Sequence, residues 1–166
     1  MQFKVGDFVV HPVYGVGHIV QIEEKQFSKS GVRFYYEIAL PRSTIWIPVD
    51  VDQTVGLRLV TAKSDLEHYR NLLKSPPTPL DKDLPQRHLA LAKRLKQSSF
   101  PEMCEVVRDL TASNWQRPLA SVDKATLRKA RERLSQEWAA AADISITEAT
   151  KEINALLRAS RQESLE

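Results

Sequence analysis

The distribution of glycine constrains the fold of this chain more than any other feature. All five glycines lie between Gly6 and Gly56, and the 110 residues that follow contain none. Before Gly56, short runs of Val, Ile, Tyr and Phe alternate with turn-forming residues, a pattern typical of short strands. After it, apolar residues recur every three or four positions, as in helices. The sequence therefore predicts an α+β chain of two domains, a β domain over 1–60 and an all-α bundle over 61–166.

The strands predicted for the first domain are short and close together. Their β-branched and aromatic residues could alternate between a core face and a solvent face. Strands of this length predict a small, strongly bent barrel. The predicted strands are Asp7–His11, Gly17–Glu23, Arg33–Leu40, Ser43–Val49 and a last one around Gly56–Leu59.

Five helices are predicted for the second domain. Ser64 is a suitable N-cap for the first, with Glu67 three positions on, and the proline-rich stretch Ser75–Leu80 ends that helix after Lys74. The other predicted helices are Leu84–Lys96, Pro101–Ala112, Ser121–Ala142 and Thr147–Ser160.

The net charge of +3 is unevenly distributed along the chain. Residues 82–133 contain twelve Lys and Arg but six Asp and Glu, whereas 1–60 is balanced and 134–166 is acidic. On a helix, Lys124, Arg128 and Arg131 would share one face and could follow a phosphate backbone. The alternative is a solvated helix surface, and composition alone leaves the two interpretations open.

Signals for catalysis or a membrane are absent from the sequence. The four histidines are scattered without metal-ligand spacing, and Gly15-Val-Gly17 lacks the third glycine and following helix of a phosphate loop. We therefore expect no enzyme activity, no metal and no cofactor. With no apolar run near 20 residues and no apolar signal region, the chain is expected to stay in the cytosol. The single cysteine, Cys104, is expected to pack in the core.

Each of the three tryptophans has a separate interpretation. Trp138 is predicted to pack between helices, and packing is also favoured for Trp115 over an exposed contact. Trp46, on a predicted strand, could lie in the barrel core or at an interface with another protein.

The sequence resembles the CarD family of transcription regulators over nearly its whole length. The family's N-terminal domain is shared with the transcription-repair coupling factor, but no P-loop motor follows it here. The stretches that carry the resemblance are Phe3–Glu23, Tyr35-Tyr36, Ile47–Val49, Val55–Arg58, Glu105–Leu110 and Lys129–Arg131.

The resemblance implies a Tudor-like barrel that binds the RNA polymerase β subunit and a helical domain that contacts promoter DNA at the upstream edge of the bubble. Such proteins modulate the stability of the open complex. Lys25 matches a basic position that the family uses at the polymerase, and Trp46 falls where some relatives carry arginine. The implied protein is a cytoplasmic, nucleoid-associated monomer.

The second domain departs from the family at the expected DNA contact. Relatives commonly place a tryptophan wedge at the start of the second helix, where this chain has Leu84. A leucine can enter a minor groove but lacks the stacking area of an indole, and it could instead pack the start of the helix. Arg87 and Lys124 match basic positions of the family. The alternative function is an adaptor that binds polymerase with little or no productive DNA contact.

Overall fold

The computed structural model describes residues 2–27, 29, 31–51, 55–97 and 99–165, with side chains described as far as Arg161. The chain divides into two compact units, Met1–Val60 and Thr61–Glu166. The first contains antiparallel strands and the second contains helices, so the predicted α+β fold class is confirmed.

The N-terminal unit is an antiparallel sheet of five strands in the order β4-β3-β2-β1-β5. Strands β4 and β5 lie at its two edges, and the pairings among the described residues form no closed ring. Closure into a barrel therefore remains a prediction. The strands are β1 (Phe8–His11), β2 (Gly15–Lys25), β3 (Arg33–Ala39), β4 (Thr44–Pro48) and β5 (Arg58–Leu59).

Alternation along β3 separates a core face from an outer face of the sheet. Tyr36 and Ile38 are buried and pair across the sheet with Ile47 and Ile45 of β4. Residues at odd positions, such as Glu37, point to the outer face. The core is completed by other apolar residues, namely Phe3, Val9, Ile19 and Leu57.

The hairpin between β1 and β2 explains the glycine pair near the N-terminus. Gly15 has a φ of +80°, a backbone conformation that glycine adopts without steric cost. A Cβ on Gly17 would lie 2.4 Å from Ile38 Cγ2, so close packing also requires glycine there. Both glycines lie at the start of β2, directly after the turn, and the chain continues as a strand instead of a helix, which excludes a phosphate loop.

The C-terminal unit contains α1 (Leu66–Lys74), α2 (Leu84–Lys96), α3 (Phe100–Gln116), α4 (Ser121–Ala142) and α5 (Ile146–Leu165). The predicted bounds of α2 and α4 are confirmed. The prediction that Ser64 caps α1 is wrong, because Lys63–Asp65 forms a 3₁₀ turn and Asp65 precedes the helix. The third helix continues past Ala112 to Gln116, since Trp115 packs against the core and extends its apolar face.

The core of the helical unit contains Trp138 and Cys104, both fully buried as predicted. The Trp138 Nε1 donates a hydrogen bond to Glu152 Oε2 at 3.3 Å, which satisfies the indole N–H. Burial raises the pKa of the Cys104 thiol, so this side chain acts as a packing group and not as a nucleophile.

No helix in the described part of the chain has the length and apolar character needed to cross a lipid bilayer.

Candidate functional site

A cluster of three aromatic side chains and one lysine lies on the outer face of the sheet. Trp46 on β4, Tyr35 on β3 and Lys25 at the end of β2 share this face, and Phe27 follows β2 directly. The Phe27 ring lies 5.0 Å from the Tyr35 ring and 5.8 Å from the Trp46 ring. We call these four residues the outer cluster.

Lys25 joins the outer cluster through its charge. Its Nζ lies 5.1 Å from the centre of the Trp46 ring and 5.7 Å from that of Phe27, within the range of cation–π attraction. The same ammonium forms an ion pair with Glu23 at 3.0 Å. Lys25 and Trp46, predicted from separate segments of the sequence, therefore lie in contact.

Exposure decides between the two interpretations of Trp46. Its side chain is 36% exposed and Phe27 is 58% exposed, whereas Tyr35 beneath them is 8% exposed. Trp46 is therefore not a core residue, and the apolar surface that it shares with Phe27 is available for another protein. The main chain of β4, which pairs only with β3 among the described residues, lies at the same edge.

In the helical unit, Leu84 lies at the first turn of α2. Its side chain is 44% exposed, and the helix start is fixed by Asp83, whose side chain accepts a hydrogen bond from Gln86 N at 3.3 Å. Pro85 adds its fixed φ to this turn. An exposed leucine held on a rigid helix start is available for contact outside the unit.

Arg87 is engaged within the helical unit. Its Nη1 lies 3.1 Å from Asp123 Oδ2 and its Nε donates to the carbonyl oxygen of Asp81 at 2.8 Å. Asp123 is fully buried, and His88 Nε2 lies 3.3 Å from its other carboxylate oxygen. The ion pair between Arg87 and Asp123 fixes the first turn of α2 beside the first turn of α4. It therefore places Leu84 and Lys124 at the same end of the unit.

The predicted row on α4 does not form one flat basic surface. Lys124 and Arg128 are exposed, and neither has an ion-pair partner among the described residues. Arg131 is half-buried, and its Nη2 donates to the side-chain oxygen of Asn154 on α5. Burial lowers the pKa of Arg131, and no carboxylate of the described residues forms an ion pair with it. Of the three α4 cations predicted to contact DNA, only Lys124 and Arg128 thus face outward.

Two parts of these sites were missed by sequence reasoning. Phe27 lies in a loop, outside any strand periodicity, so its contact with Trp46 had no sequence signal. Asp123 lies 36 positions after Arg87, and only the packing of α2 on α4 brings the two together. A buried carboxylate in the first helical turn, preceded by Ser121, looks in sequence like an ordinary capping residue.

Comparisons with known proteins agree with the two-part organisation. Residues 3–60 match the family model described as CarD-like/TRCF RID domain, and residues 69–154 match the model described as CarD, C-terminal domain. The chain is 30% identical over 138 residues to YdeB of Bacillus subtilis (strain 168), which is named as a candidate transcription factor. The alignment covers 81% of this chain and 89% of that protein.

A surface cluster of aromatic side chains on a small sheet, followed by a helical unit with outward cations, is typical of a protein that binds other macromolecules. With both family models matched, this class is that of transcription regulators that interact with RNA polymerase. The chain belongs to the CarD family.

Proposed function

We propose that the N-terminal unit binds the β subunit of RNA polymerase through the outer cluster and the free edge of β4. The observation that supports this proposal most is the contact between Lys25 and Trp46 on an exposed face, beside an edge of β4 that has no strand partner among the described residues. A strand edge can extend a sheet of a partner through main-chain hydrogen bonds, and aromatic side chains supply much of the energy of protein interfaces. The unit is balanced in charge, which favours shape over nonspecific attraction.

We further propose that the helical unit contacts promoter DNA near the upstream edge of the bubble through Leu84, Lys124 and Arg128. Leu84 would enter the minor groove as a wedge, and the two cations would bind phosphates. The Arg87–Asp123 pair supports this arrangement, because it holds the two helix starts together. Contact with both polymerase and DNA would modulate the stability of the open complex.

Arg87 and Arg131 have positioning roles in this proposal. Arg87 orients the start of α2 through Asp123 and Asp81, and Arg131 joins α4 to α5 through Asn154. Arg87 matches a basic position of the family, but its contacts in this protein are with Asp123 and Asp81. The proposal therefore assigns it no phosphate contact. The protein would act in the cytoplasm at the nucleoid, as a monomer and without a cofactor.

A second candidate function is an adaptor that binds polymerase without productive DNA contact. The observation that favours it is the small number of outward cations in the predicted set, since only Lys124 and Arg128 are free of partners among the described residues. The kinetics of open-complex formation with the matching polymerase, measured with and without this protein, would test the regulator against the adaptor.

Binding to free DNA is expected to be weak, without sequence preference and sensitive to salt. Replacing both Lys124 and Arg128 with Gln removes two phosphate contacts. The slope of log K against log[salt] should therefore become shallower by about 1.8. Fluorescence anisotropy at several salt concentrations measures this slope. The matched control, Lys151→Gln with Arg158→Gln, removes two exposed charges from α5 and should leave the slope unchanged. An equal change of the slope in both double variants would argue that Lys124 and Arg128 on α4 are not the DNA-binding surface.

Substitution of Leu84 tests the wedge. Leu84→Ala should shorten the lifetime of the open complex by about fivefold, which corresponds to ~1 kcal/mol of lost apolar contact. Leu84→Trp should lengthen it by adding stacking area. Because Leu84 is 44% exposed, the Ala variant should keep nearly the wild-type melting temperature. The control is Leu89→Ala, a more exposed leucine on the same helix. A lowered melting temperature with an unchanged lifetime would mean that Leu84 only packs the helix start.

A further inference from the structure

The helical unit contains a groove of about 520 Å³ that shares Lys124 and Arg128 with the proposed DNA surface but extends beyond it, between α4 and α5. Its walls are formed by α4 and α5, with the end of α3 and the following loop at one side. Apolar side chains from three segments line it, and three cations lie along α4. The apolar lining residues are Leu119, Leu127, Ile146 and Ile153, and the cations are Lys124, Arg128 and Arg131.

The burial of Arg131 distinguishes this groove from a surface that binds duplex DNA. Lys124 and Arg128 are exposed, whereas Arg131 is recessed between α4 and α5 and held by Asn154. Guanidinium has five N–H donors, and among the described residues only one Arg131 nitrogen has a bonding partner. A DNA backbone cannot easily reach a half-buried group beside apolar side chains, but a small anion can.

The balance of charge and apolar surface identifies the ligand class. The groove has three cations and one carboxylate, Glu132, and its volume falls in the range of small-molecule sites. Polar side chains such as Thr150 and Gln136 lie beside the apolar lining. We propose that this groove binds a small molecule that has one anionic group on an apolar body, with Arg131 binding the anion and Ile153 and Leu127 contacting the body.

A consequence follows if the proposed DNA contact is also correct. Lys124 and Arg128 line the groove and are the cations proposed for DNA, so ligand and DNA would compete for them. This consequence rests on the proposed function, whereas binding of the ligand does not. The experiment below contains no DNA and no polymerase, so its failure is distinguishable from failure of the promoter proposal.

The proposal is tested by titrating the full chain with four probes at low salt. Binding is followed by nuclear magnetic resonance, through the side-chain amide signals of Gln136 and Asn154. Octanoate combines a carboxylate with an apolar chain, whereas adenosine monophosphate combines a phosphate with a polar nucleoside. Inorganic phosphate supplies the anion alone and 1-octanol the apolar chain alone. Octanoate should bind saturably and about tenfold or more tighter than adenosine monophosphate, phosphate and octanol. Tighter binding of adenosine monophosphate would contradict an apolar body.

Variants then assign the site. Arg131→Gln should weaken binding about tenfold, Arg131→Lys should largely restore it, and Arg158→Gln, which removes an exposed arginine of α5 outside the groove, should leave it unchanged. Gln136→Phe should block the groove while keeping every cation, which provides a second test if Arg131→Gln lowers stability. The proposal is overturned if octanoate does not bind, if phosphate or adenosine monophosphate binds as tightly as octanoate, or if Arg131→Gln and Gln136→Phe both bind octanoate like the wild type.

Discussion

Replacing Trp46 with Ala should weaken binding of the full chain to RNA polymerase by about 30-fold to 1000-fold, the effect of a hot-spot side chain worth ~2–4 kcal/mol. The substitution removes the exposed indole, its contact with Phe27 and the aromatic partner of Lys25. It should not unfold the sheet, because Trp46 lies on the outer face and is absent from the core. Surface plasmon resonance with immobilised polymerase measures the change.

Two control variants make this prediction specific. Trp46→Phe keeps an aromatic ring in the outer cluster and should lose much less affinity than Trp46→Ala. Phe34→Ala removes another exposed aromatic residue of the same sheet, 49% exposed but adjacent in β3 to Tyr35 and so on the opposite face. Its binding should stay close to that of the wild type. Equal losses for Trp46→Ala and Phe34→Ala would show that the outer cluster is not the interface.

The largest stability effect is expected at Asp109, in the middle of α3. Its carboxylate is 4% exposed and accepts hydrogen bonds from Arg108 Nε and from Thr78 N, both at 2.9 Å. Arg108 in turn donates to Ser75 Oγ at 2.8 Å. These contacts attach the proline-rich connection before α2 to α3. The connection therefore has a defined path although proline removes its own amide donors.

Asp109→Ala should lower the free energy of unfolding of the helical unit by ~3–5 kcal/mol, because it leaves Arg108 buried without its counter-charge. The melting temperature should fall by roughly 10–20 °C. The control is Glu105→Ala on the same helix, which breaks a part-exposed ion pair with Arg94 and should cost less than about 1 kcal/mol. Thermal unfolding followed by circular dichroism compares the two. Similar small losses would mean that the Arg108–Asp109 pair contributes little to stability.

The order of strands and helices could be predicted because the signals are local. Asp83 followed by Leu84-Pro85 specifies a cap and a first turn, so α2 begins at the predicted residue. The start of α1 was misplaced because Ser64 lies inside a 3₁₀ turn, and the spacing of Ser64 and Glu67 does not distinguish such a turn from the first turn of an α-helix. The end of α3 was placed too early, since its last polar turn is stabilised by the packing of Trp115 and not by local propensity.

The candidate sites depend on contacts between distant segments, and these were only partly predictable. Lys25 and Trp46 were selected by resemblance, but their contact follows from the pairing of β2, β3 and β4. Helical spacing placed Lys124, Arg128 and Arg131 on one side of α4, yet it could not show that α5 packs beside that side. Because Arg131 donates a hydrogen bond to Asn154 on α5, it lines the groove and is not a surface cation.

One molecule of the protein is expected to contact polymerase and promoter DNA at the same time. A photo-crosslinking amino acid at Ala125, which is exposed next to Lys124, tests it in a complex of polymerase, promoter and protein. We expect a crosslink to DNA at the upstream edge of the bubble that requires polymerase and is lost with Trp46→Ala. A protein that binds polymerase but crosslinks at Ala125 only to protein, or to no partner, would contradict the account and favour the adaptor.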